Sequence, residues 1–396
     1  MLKSLVVERF KSLVSLEMDL GRMNVLIGAN GSGKSNILEA AGVLGAAAFG
    51  RVDDETLLRR GVRPGVPRLY KTAFALSSRV PHIRFKATER TGASYEVTLW
   101  NPLQNPSPAW RFKTENLRRS GADQVVARST TSVGKRNQEQ GIAALKTVDL
   151  EQGDAALSLV DRLRAYSIHC PNTPTLRGLV QDLQAREPVG LAGGRLPEAI
   201  QELLKDEKKS VEQASRLEGV RGLVDWAKDF SAASSIDVPL SPSAARSRLV
   251  IQFVDRFMAS GRNRLTGYDA SEGALFILYC SVLALHSKAP KWFAVDNLDQ
   301  ALNPRLATRL MEHLCSWTMS AQEEQQWLVT AHNPAILDGL PLDDPEVRLF
   351  AVDRSSKGHT VVRQIDLAEA RRKRPSAEWT LSRMWMAGLL GGVPNV

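Results

Sequence analysis

The run Gly28 to Asn36, GANGSGKSN, constrains this chain more than any other stretch. It fits the pattern G-x-x-x-x-G-K-[ST] at Gly28, Gly33, Lys34 and Ser35. The preceding run, Met23 to Ile27, is short and apolar, which predicts a buried strand. The following run, Ser35 to Phe49, is rich in Ala, Leu and Ile and predicts a helix capped by Gly50. Strand, glycine loop and helix in that order place backbone N–H groups at a helix N-terminus, a cradle for phosphate. On this reading Gly28, Ala29, Asn30, Gly31, Ser32, Gly33, Lys34, Ser35 and Asn36 surround a nucleotide, with Lys34 on its β- and γ-phosphates and Ser35 on Mg²⁺. The alternative is an ordinary glycine turn.

With 396 residues the chain has room for roughly two to three domains. Its 43% hydrophobic content is enough for a real core. Mean hydropathy is −0.20, and no apolar run approaches the ~18 residues of a membrane span. The N-terminal MLKSLVVERFKSL is charged every few residues, so no leader is expected and the chain reads as cytoplasmic. Cys170, Cys280 and Cys315 lack metal-ligand spacing and read as small hydrophobes in a reducing compartment. The net charge of +9 favours a polyanionic partner such as DNA. Arg111, Lys113, Arg118, Arg119, Arg128, Lys135 and Arg136 crowd one stretch, and Arg371 to Arg374 another. Each cluster reads as a phosphate track or as a solvated face.

Three regions follow from the pattern. Residues 1–100 hold strands at Leu2–Val7 and Val14–Leu20, the glycine loop, and an antiparallel meander over Thr72–Ser77, Ile83–Thr88 and Tyr95–Trp100. Residues 101–240 read as a polar, basic loop (101–140) and then helical spacing over 155–185 and 196–231. In residues 241–396 strands and helices alternate: Ser271–His286 helical, Trp292–Val295 a strand, Pro304–Trp317 a helix, then strands at Trp327–Thr330 and Val347–Val352. Phe253–Met258 fits either state. In the C-terminal stretch Trp385, Met386, Leu389 and Leu390 recur at helical spacing, facing the core or a partner.

The second half supplies what a phosphate loop alone lacks. The buried strand ending at Val295 delivers Asp296, suited as a Walker B carboxylate for Mg²⁺. Upstream, Ser271-Glu272-Gly273 opens an apolar helix; downstream, Ala331-His332-Asn333-Pro334 follows a strand. Ser271 on its own suits a helix cap, and Asn303-Pro304 a cap and first turn. A lone histidine is most often structural.

In this order, and with Phe10-Lys11 ahead of the glycine loop, these elements resemble the ATPase head of the ABC superfamily, in its RecF, SMC and OLD branch. The resemblance covers roughly residues 1–100 and 245–370. It implies an α/β P-loop NTPase head: a mixed or parallel sheet, an antiparallel β subdomain and a mainly helical insertion. It implies ATP and Mg²⁺, and a homodimer in which Ser271, Glu272 and Gly273 of one copy close over the nucleotide of the other. It makes His332 a γ-phosphate switch and puts Asn303 at the D-loop. Gln104 and Gln152 are weak candidates for the Q-loop.

One departure stands out. Where the branch has Asp-Glu, this chain has Asp296-Asn297. An amide is no general base near neutral pH, although it still holds a water; Asp299, two residues on, is the possible substitute. Catalysis would then rest on Lys34, Asn297, Asp299 and His332, with slow or partner-dependent hydrolysis. The implied role is DNA repair or anti-phage defence, with a separately encoded nuclease or toxin as effector. A non-hydrolysing scaffold is the alternative. A fused nuclease finds no acidic cluster after Arg354, and a small-molecule kinase leaves SEG and AHNP unexplained.

Overall fold

The computed structural model of the chain describes all residues except 75–81, 122, 129–140, 209, 242–246, 322–323, 342, 367–369, 371, 373–375, 377–378 and 393–396. Its strands are β1 (Leu2–Phe10), β2 (Leu13–Asp19), β3 (Met23–Ile27), β4 (His82–Glu89), β5 (Ser94–Trp100), β6 (Arg111–Arg118), β7 (Gln124–Arg128), β8 (Ile168–His169), β9 (Ala227–Ser234), β10 (Leu249–Asp255), β11 (Arg264–Thr266), β12 (Trp292–Val295), β13 (Gln326–Ala331), β14 (Val347–Arg354) and β15 (Thr360–Ile365). Its helices are α1 (Lys34–Phe49), α2 (Asp54–Leu58), α3 (Pro67–Tyr70), α4 (Ala155–Ala165), α5 (Thr173–Leu176), α6 (Leu196–Glu207), α7 (Val211–Leu223), α8 (Glu272–Leu285), α9 (Pro304–Ser320) and α10 (Leu381–Met386).

The central sheet has the order β15-β14-β3-β13-β12-β8 and is parallel except for β15. β3 lies in its middle, and all five of its residues are buried because both faces are covered. Alternation along the strands divides them between two cores. Val25, Phe293, Val329 and Leu349 pack with α8 and α9 in one; Leu26, Ala294, Leu328 and Phe350 pack with α1 and the antiparallel sheet in the other. That second sheet runs β2-β1-β4-β5-β6-β7. Its β4 and β5 alternate buried and half-exposed residues, as a sheet covered on one face must. A third, short sheet, β11-β10-β9, packs beside α6 and α7.

The strands and helices expected around the glycine loop, Asp296 and His332 form where the pattern puts them. Four expectations need correction. The basic stretch after Trp100 is no loop over 111–128: it forms β6 and β7, which extend the meander beyond β5. Helix ends early in 155–185, since after α4 come the two-residue β8, the single turn α5 and irregular turns. The helical reading of 196–231 fails at its end, where β9 begins and pairs with β10. Residues 72–74 are not a strand, Lys71 alone bridging to Phe10, and 75–77 lie outside the described residues. Phe253 to Asp255 belong to β10. Lys135, Arg136, Arg371, Lys373 and Arg374 also lie outside the described residues.

The C-terminal stretch docks on the core through Trp385 and Leu390, leaving Met386 and Leu389 exposed. Both the amide and the hydroxyl of Ser382 donate to Asp338. Among the described residues, no helix is long and apolar enough to cross a membrane.

Candidate functional site

The glycine loop leaves β3 and enters α1 through backbone that only glycine adopts easily. Gly33, the residue before α1, has φ 113°, and a Cβ there would lie 2.0 Å from the Thr360 hydroxyl. The buried Lys34 folds back on the loop and donates to the carbonyls of Gly28 (2.6 Å) and Ala29 (3.2 Å). Burial lowers its pKa to about 8, against the pull of Asp296 and Asp299 in the other direction. Ser35 Oγ donates to Asp296 Oδ2 at 3.0 Å, across the width of β13. Asp296 Oδ1 accepts from the Thr330 hydroxyl, which also accepts the Asn297 amide at 2.8 Å. Asn297 sits at φ 59°, a left-handed conformation that Asn tolerates better than most residues.

A cavity of about 390 Å³ lies over this loop, lined by Asn30 to Asn36 together with Arg63, Asn297, His332 and Arg354. His332 stands exposed at its rim. Desolvation, and then the Lys34 charge, lower its pKa, while Asp299 and Asp296 oppose them, so the neutral imidazole is favoured at neutral pH. Asp299 does not line the cavity. Its Oδ2 accepts the amides of His332 (2.7 Å) and Asn333, and so fixes the turn that carries the histidine.

A larger space of about 580 Å³ opens beside the loop and shares Asn36, Arg63 and Arg354 with the first. Lys11, Pro64, Arg68, Leu69, Tyr70 and Phe74 are among its walls. A third, of about 260 Å³, lies between Gly28–Asn30, His332 and the C-terminal Trp385, Met386 and Gly392.

Ser271, Glu272 and Gly273 lie outside these cavities. Ser271 is exposed and caps α8, accepting the Ala274 amide at 3.3 Å. Glu272 accepts from the Thr173 hydroxyl, and a Cβ on Gly273 would meet the Ala301 carbonyl at 3.1 Å. Asn303 caps α9. Gln104 and Gln152 are exposed and line none of the three cavities; the strand beside Asp296 is β8, which ends at His169.

Sequence reasoning brought out the loop, Asp296, Asn297 and His332, but not Arg63, Arg354 or the role of Thr330. Arg354 Nε donates to the Gly31 carbonyl at 2.9 Å. The charge of the two arginines was visible in the sequence; their place beside the loop depends on chain crossings that it does not display. Thr330 stands at the end of an expected strand, where a hydroxyl among apolar neighbours was the available signal.

A family profile described as "AAA domain, putative AbiEii toxin, Type IV TA system" matches residues 23–98. No curated protein matches the chain in sequence. Among solved structures, an SMC head bound to the C-winged helix domain of ScpA superimposes with a TM-score of 0.56 at 13% identity, over 94% of this chain and 99% of that one. The SMC head domain from Thermotoga maritima matches with a TM-score of 0.47 at 13% identity, over 92% of this chain and 98% of that one. A head with an extended coiled coil, bound to the C-terminal domain of ScpA derived from Pyrococcus furiosus, gives 0.48 at 13%, over 94% and 98%. The fold is that of an SMC head.

Proposed function

We propose that this chain binds ATP with Mg²⁺ on the Gly28–Asn36 loop and acts as a slow or partner-dependent ATPase, gated by pairing of two copies. The observation that carries this reading is the Ser35–Asp296 hydrogen bond of 3.0 Å beside the folded-back Lys34, with Ser271 outside the same cavity. The residues suit the ion: a hydroxyl and one carboxylate, completed by phosphate oxygens and water, are what Mg²⁺ accepts. A protein-only metal centre has no support, since no group of three or more His, Cys, Asp or Glu that could hold a metal occurs among the described residues. Bound there, Mg²⁺ would neutralise the charge that develops between the β- and γ-phosphates.

Lys34 would leave the Gly28 and Ala29 carbonyls for the phosphates, and the loop amides would hold the remaining oxygens. The larger cavity, with Tyr70 and Phe74, suits the nucleoside. Ser271 and the start of α8 would close over the γ-phosphate from a second copy, where a helix N-terminus adds stabilisation. His332 at the rim would sense that phosphate. Asp299 would act by holding the His332 turn, its oxygen already engaged by two amides. Asn297 would orient the attacking water without taking its proton.

The amide at Asn297 also favours a second reading, a scaffold that ATP holds together without turnover. Single-turnover phosphate release separates the two. Release above that of Lys34→Ala supports the ATPase; equal release leaves the scaffold. Failure of the wild-type chain to bind ATP in calorimetry would sink both.

The role we favour is anti-phage defence or DNA repair, with control of a separately encoded nuclease or toxin. Its support is the motif resemblance and the profile match over residues 23–98. DNA contact has weaker support: Arg111 stacks over Trp100 at 5.0 Å, whereas Arg119 is engaged by Asp123 and Asp154. Duplex affinity that falls steeply with salt, with a log–log slope of several units, would favour a phosphate track. No binding at low salt would remove DNA from the proposal.

A further inference from the structure

Helix α1 carries a single acid, Glu39, in an otherwise apolar Ala/Leu/Ile body, and Glu39 is buried. A buried ion pair is seldom a better stabiliser than apolar side chains of the same size, so its partners are worth following. They come from two separate segments. Arg63, after α2, donates from Nε to Oε1 (2.6 Å), from Nη2 to Oε2 (3.3 Å) and from its backbone amide to Oε1 (3.3 Å). Lys11, at the β1–β2 turn with φ 49°, donates to Oε2 and lies 5.0 Å from the centre of the Tyr70 ring. A second tie holds the same turn: Asn36 Nδ2 donates to Ser12 Oγ at 2.7 Å. The motif pieces Phe10-Lys11, Lys34-Ser35-Asn36 and Glu39 are thus one stitched unit.

Both cations line the larger cavity, and Arg63 also lines the one over the loop. The acid is 3% exposed at its side chain and Arg63 is 65% exposed, so the carboxylate anchors from inside while the guanidinium reaches out. A side-on pair engages Nε and one Nη2 hydrogen, and leaves the other N–H groups for an anion. The neighbouring cations are tethered differently: Arg354 to the Gly31 carbonyl and Lys71 to the Asn101 carbonyl.

The geometry points to Glu39 as a positioning residue for nucleotide binding: from the Walker A helix it holds Arg63 on the wall that the two cavities share and Lys11 on the wall of the larger one, aimed at a bound nucleoside triphosphate. This rests on the ATP-binding reading given above. Without Glu39 the two cations would keep their charge and lose their direction, which weakens affinity while leaving chemistry after binding unchanged.

The test is a double-mutant cycle on the full chain, with ATP affinity measured by calorimetry. Glu39→Gln is expected to raise the Kd about tenfold and KM in proportion, with kcat unchanged. Glu39→Asp should recover part of the loss. Arg63→Ala should weaken binding similarly, and the double variant should lose clearly less than the product of the two single losses, because the acid acts through the arginine and, for the remainder, through Lys11. Wild-type affinity in a folded Glu39→Gln, or losses that multiply in the double variant, would overturn the proposal. If Glu39→Gln does not fold, Lys11→Met and Arg63→Ala decide: wild-type ATP affinity in both leaves Glu39 nothing to position. Lys34→Ala marks the distinction from the parent reading. Binding lost there but intact in the Glu39 and Arg63 variants rejects only the role of Glu39; no ATP binding by the wild-type chain rejects the site itself.

Discussion

At the scale of single residues, Asn297 joins two properties: an amide where a base is wanted, and a backbone at φ 59°. Replacing it by Glu supplies the base but strains the left-handed position by about 1 kcal/mol. Asn297→Glu should therefore speed single-turnover phosphate release by ~10²-fold or more and lower the melting temperature slightly. Unchanged release would mean that water activation is not what limits this site. Lys34 gives a pH signature. Its folded pKa is about 8 against an ordinary 10.5, so between those values the unfolded chain binds the proton and the folded chain does not. From this lysine alone, raising pH through that window stabilises the ligand-free chain. ATP needs the charged form, so affinity should fall above pH ~8 and binding there should take up a proton. Calorimetry at pH 8.5 in two buffers of different ionisation heat reads the uptake; none would mean that Lys34 stays charged throughout. Lys34, Ser35, Asp296 and His332 were legible because each belongs to a short motif beside an apolar run. Thr330, Arg63 and Glu39 were not, because what matters is whom they meet across the fold.

At the scale of elements, the contact of α1 with α4 depends on small residues. A Cβ at Gly45 would stand 2.6 Å from the Leu163 carbonyl, so Gly45→Ala must push α4 away. We expect a loss of about 1–3 kcal/mol in denaturant unfolding, with ATP affinity nearly kept, since the loop lies at the other end of α1. At α8, Ser271→Ala should cost about 1 kcal/mol through the lost cap, whereas the bulky Ser271→Arg should block pairing and hydrolysis while each copy still binds ATP. Pairing of Ser271→Arg at wild-type strength would count against closure through that turn. The parallel strands β3, β12, β13 and β14 were legible as short, mostly apolar runs. β6 and β7 were not: their less buried residues include Arg111, Lys113, Asn116, Gln124 and Arg128, and Pro-rich chain precedes β6. β9 reads AKDFSAAS, rich in a helix former, and is a strand because Phe230 pairs with Phe253 of β10.

At the scale of the whole molecule, the proposed gate predicts a change of mass. Light scattering should show monomers without nucleotide, and pairs with ATP and Mg²⁺ under conditions of slow turnover. Lys34→Ala should stay monomeric under both. Equal masses for the wild-type chain with and without ATP would remove the gate and leave at most a nucleotide-binding monomer. The head fold was legible because its motifs are spread in a fixed order along the chain. The packing of 101–240 onto the rest was not, because strand pairing and helix docking there follow from no local signal.

The placement of β3 has a further consequence, for synthesis. Its two hydrogen-bonding neighbours are β13 and β14, whose residues begin at Gln326 and Val347. At ~5–20 residues per second on a ribosome, the roughly 300 residues between β3 and β13 take about 15–60 s to emerge. Throughout that interval nascent β3 has neither partner edge, and chaperones would be expected to guard it until β13 and β14 emerge.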